Sequence, residues 1–233
     1  MNKNSRNNLA AAGNPGCPET QNHPQGAPPR VVWLMTVLLL LSGCFSLRSS
    51  TPAAKLYLLE NSPALAGPAP SAATTNSGKG PILVVALPTA TPAYDTDAMA
   101  YTRAQHQLEY FTRSRWLDKP ARLLFPSLVQ ALRDNSVFGA VISAPSTVKA
   151  DYLVNFELLV LRQDFDPSGG SRVILNCRVE MLDERREFKG SRIFLESERA
   201  ATADAEGGVA AANRILNRLL PSVAEFCAGL IDD

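Results

Sequence analysis

Two alternating runs constrain this chain more than anything else in it. In Tyr152 to Val160 one face reads Tyr152, Val154, Phe156, Leu158 and Val160, and the other carries Asn155 and Glu157 among leucines. After Asp166-Pro167-Ser168-Gly169-Gly170, the residues Val173, Leu175, Cys177, Val179 and Met181 alternate with Asn176, Arg178 and Glu180. Successive side chains of a strand point to opposite sides, so each run has an apolar face to bury, and the Asp-Pro-Ser-Gly-Gly stretch between them has the composition of a turn. The pair is therefore expected to be antiparallel. A second turn near Glu184 to Lys189 and a further strand over Ser191 to Glu198 would extend it into a meander.

A helix is available to cover that face. Asp204 is placed to cap it, Glu206 lies in its first turn where the helix dipole favours negative charge, and Val209, Ala212, Leu216, Leu219, Val223, Phe226 and Leu230 recur at three- and four-residue steps. Pro221 falls inside this stripe without disturbing its phase, which predicts one bent helix that follows the twist of the sheet. Upstream, Pro81 to Leu87 is apolar on both alternating faces and bounded by prolines, as a strand in mid-sheet would be. Ala100 to Arg103 and Gln107 to Thr112 flank a polar turn with His106 and predict a hairpin. A second helix is expected from Asp118 as cap, with Pro120 in its first turn and Ala121, Leu124, Leu128 and Leu132 on one face; Pro126 either kinks it or begins it. Val137 to Ser143 and Lys55 to Leu59 read as short strands, and Glu60 to Gly80 has the composition of a mobile loop or linker. The fold class that results is α+β: a mixed, mostly antiparallel sheet with two main helices packed on it.

The beginning of the chain carries an address. Val31 to Leu41 is an apolar run preceded by Arg30 and followed by Ser42, Gly43 and Cys44. A helix of that length spans about 16 Å, too short for a bilayer core of roughly 30 Å, so the run reads as a cleavable secretory segment. Leu41-Ser42-Gly43-Cys44 looks like a bacterial lipobox, in which the cysteine thiol is acylated and becomes the first mature residue. Residues 1–43 would then be removed, residues 44–54 would form a lipidated tether, and residues 55–233 a single domain. Residues 1–30 read as an over-extended start of the frame. Cleavage leaves 190 residues with 20 basic and 21 acidic side chains, a balance that does not suit a nucleic-acid partner. Resemblance to sorted lipoproteins, in which an aspartate after the lipidated cysteine favours retention at the inner membrane, implies the outer membrane here, where Phe45 follows Cys44.

Chemistry has few candidates. His106 is the only histidine after Cys44 and lies in a predicted turn, and no serine sits in a G-x-S-x-G elbow. Ser146 to Lys149 matches the bare S-x-x-K pattern, but between strands and without the companion K-T-G or S-D-N motifs. Lys79 lacks the spacing of a phosphate loop. Cys177 and Cys227 lack the spacing of a metal site, and periodicity points both inward; they read either as a disulfide or as two buried thiols. No catalytic residue, metal or cofactor is assigned. Tyr57, Tyr101, Tyr110, Phe111 and Trp116 gather in the first half of the chain, as core and hairpin packing or as a contact surface, and Tyr57, Tyr101, Tyr110 and Trp116 are the candidate interface residues.

The order of parts resembles the ABC-type transport auxiliary lipoprotein family: lipobox, then Tyr57-Leu58-Leu59, then the Pro81 to Pro88 strand, then an aromatic hairpin ending in Arg115-Trp116, then helix, meander and final helix. The likeness extends over nearly all of residues 44–233, with a longer linker at Glu60 to Gly80 than the family's spacing. It implies a fold similar to the N-terminal domain of TolB-like proteins. It also implies a non-catalytic, outer-membrane-facing lipoprotein that works with an MCE-domain protein, a permease and an ATPase to move lipids between membranes. A homo-oligomer is left open. The alternatives are a small-ligand or glycan-binding periplasmic lipoprotein and, further off, a periplasmic hydrolase.

Overall fold

The run beginning at Val173 forms the strand that its alternation predicts, and the sheet is built outward from it. The computed structural model describes residues 53–60 and 80–231. Contacts divide the chain into Met1–Thr51 and Pro52–Asp233, and the described residues all belong to the second unit. Cys44 and nearly all of the Glu60 to Gly80 stretch lie outside the described residues. In order, the described elements are β1 (Lys55–Tyr57), β2 (Ile82–Val85), β3 (Thr89–Ala90), β4 (Ala98–Thr102), β5 (Glu109–Trp116), α1 (Pro120–Leu123), α2 (Phe125–Arg133), β6 (Ala140–Ser143), β7 (Tyr152–Phe165), β8 (Ser171–Asp183), β9 (Phe188–Arg199) and α3 (Ala205–Gly229).

The expected meander is present, with β7 antiparallel to β8 and β8 antiparallel to β9. Asp166 holds the first turn together: its carboxylate accepts from the backbone N–H groups of Ser168 and Gly170, both at 3.0 Å, and Gly169 takes the left-handed φ of 87° that favours glycine. The Ser168 hydroxyl also donates to Asp166, the largest of the contacts that lower its pKa.

The free edge of β7 is shared by three strands in succession, all parallel to it. β2 pairs from Leu83↔Tyr152 to Val85↔Val154, β3 at Thr89↔Glu157 and Ala90↔Leu158, and β4 from Ala100↔Arg162 to Thr102↔Asp164. β2 is flanked on its other side by β6, which puts the Pro81 to Leu87 run in mid-sheet as expected. β4 continues through antiparallel β5 to parallel β1. The sheet is thus mixed, with its long antiparallel ladders in the meander and its parallel pairings in short strands.

The predicted face of β7 holds only for its first half. Val154, Phe156 and Leu158 are buried, but Leu159 is an extra residue between Leu158↔Cys177 and Val160↔Asn176. A bulge of this kind shifts the phase by one residue, so Leu161 and Gln163 turn inward and Val160 does not. Thr91 sits at the bulge, with its N–H on the Leu158 carbonyl at 3.0 Å and its hydroxyl on the Leu159 carbonyl at 2.9 Å.

Val173, Leu175, Cys177, Val179 and Met181 are all buried against α3 and the neighbouring core. α3 runs unbroken through Pro221, and its Asp204 cap accepts from the N–H of Gly207 at 2.8 Å. Its apolar face is wider than the predicted stripe, because Ala211, Ile215, Leu220, Ala224 and Cys227 are buried too. A helix packed on a sheet alone would expose that flank; here α2 lies beside it and contributes buried Leu128, Val129 and Leu132. Each such leucine contributes roughly 1.5–3 kcal/mol relative to exposure. Near the N-terminus of α3 the approach to the sheet is close: a Cβ at Gly208 would collide with Gln163. The Gln163 amide is buried, donating to the Ser171 hydroxyl at 2.8 Å and to the Asp204 carbonyl at 3.0 Å.

The second helix departs from expectation at its start. Lys119, not Asp118, occupies the cap position and no side chain caps it. The Asp118 carboxylate instead accepts from the N–H of Lys119 at 2.7 Å and lies 3.8 Å from Arg122. Of the two roles open to Pro126, the chain takes the second: helix α1 ends before Leu124, and α2 begins at Phe125 with Pro126 in its first turn, where a missing N–H interrupts nothing.

Candidate functional site

The four aromatic residues singled out in the sequence are distributed over the β4–β5–β1 end and do not form one surface. Trp116 is buried, and its register partner on β1 is the half-buried Tyr57. Tyr110 is exposed, its hydroxyl donating to the Ala93 carbonyl at 3.1 Å. Tyr101 belongs to a different group. Its ring lies 4.7 Å from Phe111 and 5.6 Å edge-on to Phe165, and the Arg103 guanidinium sits over both Tyr101 and Phe165, at 5.2 and 5.5 Å. The Tyr101 hydroxyl donates to the Glu109 carboxylate at 2.7 Å, a bond that raises its pKa. Phe165 was not among the sequence candidates, since only the parallel pairing of β4 with β7 brings it to the hairpin.

Beside this cluster is an open hollow of about 850 Å³, lined among others by Thr102, Arg103, His106, Arg162, Asp164 and Phe165. Arg162 and Asp164, two residues apart on β7, pair in its lining at 2.7 Å, and that bond raises the arginine's pKa. His106 is at the hairpin tip, exposed, with φ 63°. Among the described residues no group of three or more His, Cys, Asp and Glu side chains could hold a metal ion. Cys177 and Cys227 are buried free thiols, and burial pushes both up to about 12, so neither ionises near neutral pH.

The far edge, β9, carries an arrangement that sequence reasoning missed. Ala200 donates from its N–H to the Ser171 carbonyl at 3.0 Å, so even-numbered residues of β9 aim their backbone groups at β8 and odd-numbered ones at the open side. Two arginines of α3 occupy open-side carbonyls: Arg218 donates to Ser197 O at 2.9 Å and Arg214 to Arg199 O at 3.1 Å. The same guanidinium groups hold Glu196 and Glu198, with Arg218 at 2.9 Å from each and Arg214 at 3.0 Å from Glu198. Arg214, then Arg218, lowers the pKa of Glu198. On the sheet face turned away from α3, Phe188, Ile193 and Leu195 are 65%, 56% and 66% exposed. The register places Ile193 beside Arg178 and Leu195 beside Asn176, so these side chains continue the outward row of β8.

Among the described residues no helix is long and apolar enough to cross a membrane. No curated protein matches the chain by sequence. Among solved structures, the chain is similar to protein XCC0632 of Xanthomonas campestris, of family DUF330. They share 17% identity over 66% of this chain and 87% of that one, with a TM-score of 0.60. An uncharacterised protein matches at 12% identity over 76% of this chain and 99% of its own, with a TM-score of 0.57. At such identities these likenesses speak for the fold. The lipoprotein GNA1162 of Neisseria meningitidis shows a more distant likeness, at 10% identity over 64% of this chain and 99% of that one, with a TM-score of 0.37. The profile of one family, described as the ABC-type transport auxiliary lipoprotein component, matches residues 64–224, from the stretch before β2 to the last turns of α3. The chain belongs to the ABC-type transport auxiliary lipoprotein family.

Proposed function

We propose that this protein is the non-catalytic docking component of an MCE-linked lipid transport system, held by an acylated Cys44 to the periplasmic face of the outer membrane. It would receive there an MCE-domain protein whose permease and ATPase act at the inner membrane. The observation that carries the docking role is the outward row Phe188, Ile193 and Leu195 on β9. Exposed apolar side chains side by side on a sheet face favour contact with another protein. With the Ser197 and Arg199 carbonyls already occupied by α3 arginines, a partner at this end of β9 is favoured to bind through side chains on the face rather than by adding a strand. A photoreactive residue at Ile193 or Leu195 should crosslink to the MCE-domain protein in intact cells. The reading fails if the folded, acylated protein gives no such adduct from either position while the transport system is expressed.

The hollow beside Arg103, Arg162 and Phe165 favours a second reading, a small-ligand or glycan-binding lipoprotein. Aromatic rings beside arginine and carboxylate groups suit the mixed apolar and hydroxylated faces of a sugar. Native mass spectrometry that finds a small molecule retained by the wild type and lost in Arg103→Ala would favour it.

A further inference from the structure

The opposite end of the sheet bears a second outward apolar group, at the point where the chain arrives from Cys44. In β1 and β5 the partners Lys55 and Ser114, and Tyr57 and Trp116, face the α3 side, with Lys55 4.0 Å from Glu206 of that helix. The alternate residues face away from it: Leu56 beside Arg115, and next Leu58 and Leu117, which follow the last register pair, where the Leu117 N–H donates to the Tyr57 carbonyl at 2.8 Å. Leu56, Leu58 and Leu117 are 60%, 45% and 56% exposed. Arg113 and Arg115 stand on the same side of β5, exposed; Arg115 pairs with Asp97 at 3.0 Å.

We propose that Leu56, Leu58 and Leu117, flanked by Arg113 and Arg115, rest against the phospholipid surface into which the acyl chains of Cys44 insert. The inference depends on acylation at Cys44. Eleven backbone steps separate Cys44 from Lys55, and at roughly 3.3–3.6 Å each they span at most about 40 Å, so β1 is the first described element the anchor can draw to the bilayer. Leucines set among arginines suit that boundary, the apolar groups entering the acyl region and the guanidinium groups meeting phosphate. The outward residues of β9 lie five strand spacings away through β5, β4, β7 and β8, about 24 Å across the sheet. One sheet face would therefore offer a membrane-resting end and a partner-facing end.

The test uses the full acylated protein in vesicles of phosphatidylethanolamine with a minor share of phosphatidylglycerol. Cys177 and Cys227 are buried thiols with raised pKa and leave a labelling background close to nil. Leu58→Cys, Leu117→Cys and, as the distant reference, Ile193→Cys each receive a thiol-reactive fluorophore, and quenching by nitroxide-bearing lipid is compared with quenching by a water-soluble quencher. The expected result is several-fold stronger lipid-borne quenching at 58 and 117 than at 193, with the aqueous preference reversed. Equal quenching at all three positions overturns the proposal. So does shielding of 58 and 117 from both quenchers, which would mean that a chain segment or a second copy covers the patch. Failure of the acylation premise is visible beforehand, as a mature mass without acyl chains and no co-flotation with vesicles.

Discussion

β1 and β9 end the sheet on opposite sides and are protected in different ways. β1 is three residues long and, among the described residues, has one pairing, to β5, so it offers little backbone to an incoming strand. β9 is twelve residues long and would be an inviting template, but Arg214 and Arg218 reach from α3 and fill carbonyls along its C-terminal half. The same device recurs on edge strand β6, where Arg133 of α2 donates to the Val141 carbonyl at 3.2 Å. The lesson is that an edge can be closed by brevity or by side chains sent from a neighbouring helix. Only the second leaves a long, rigid face intact beside it, and the exposed Ile193 and Leu195 stand on such a face.

The largest loss is expected at the side chain that fixes β9 from beneath. Phe194 is buried, lies 5.9 Å edge-on to Phe226 and is covered by Arg192 at 5.1 Å. Phe194→Ala should cost about 3–5 kcal/mol in denaturant unfolding. Half-buried Tyr57 on β1 should lose less when cut to alanine, and the reverse order would show that β1 is the better-anchored edge.

Next in size is the cap of the helix that supplies the arginines. Asp204→Ala should cost about 1 kcal/mol, and Asp204→Asn should restore most of it in thermal unfolding, because either oxygen can accept from Gly207. The Gly207 N–H, more than any other contact, holds the Asp204 carboxyl below its ordinary value. Its contribution is therefore complete above the unfolded aspartate range near about 3.9 and is lost as pH falls through the lower folded pKa.

A smaller loss, up to about 1 kcal/mol, is expected for Arg218→Ala, since its ion pairs with Glu196 and Glu198 are partly exposed. Its clearer effect should be self-association that rises with protein concentration in sedimentation velocity, as the Ser197 carbonyl becomes open to another strand. A monomer at all concentrations would show that the arginine does not guard the edge. Glu198, whose pKa is lowered chiefly by Arg214, supplies the pH counterpart. Its part of the β9 to α3 attachment is present above the unfolded glutamate range near about 4.3 and disappears as pH falls through the depressed folded value, so the wild-type advantage over Arg214→Ala should shrink across that acid window. The smallest effect belongs to Ile193→Ala, within about 0.5 kcal/mol of the wild type by denaturant unfolding, because the side chain is mostly in water already.

What could be read from the sequence follows from how locally each feature is encoded. β8 alternates without interruption, so its five buried apolar residues were legible one by one, as was the Asp204 cap of α3. β7 was legible only to Leu158, because Leu158-Leu159-Val160-Leu161 is apolar in either phase and hides the bulge. The sharing of one β7 edge by β2, β3 and β4 left no trace in the pattern, and a two-residue strand such as Thr89–Ala90 is below what periodicity can reveal. The arginines on β9 were equally silent. Arg214 and Arg218 are 15 to 22 residues from their partners, and only the register of β9 against β8 turns Glu196 and Glu198 toward them. Tyr101 and Phe111 were singled out for their residue type, and their companion Phe165 became visible only when the hairpin met the end of β7.

The extra residue at Leu159 gives the longest strand of the sheet two reading frames. Before it, odd-numbered side chains look outward; after it, they look inward, and Gln163 reaches the carbonyl at the head of α3 only because of that offset. Paired without the bulge, the same residues would turn Leu161 and Gln163 outward, whereas a chain that lacked Leu159 would need no bulge and would keep every side chain on its present side. The bulge is thus the way this strand absorbs one residue more without misplacing any other, and Thr91 is bonded to the two carbonyls on either side of it.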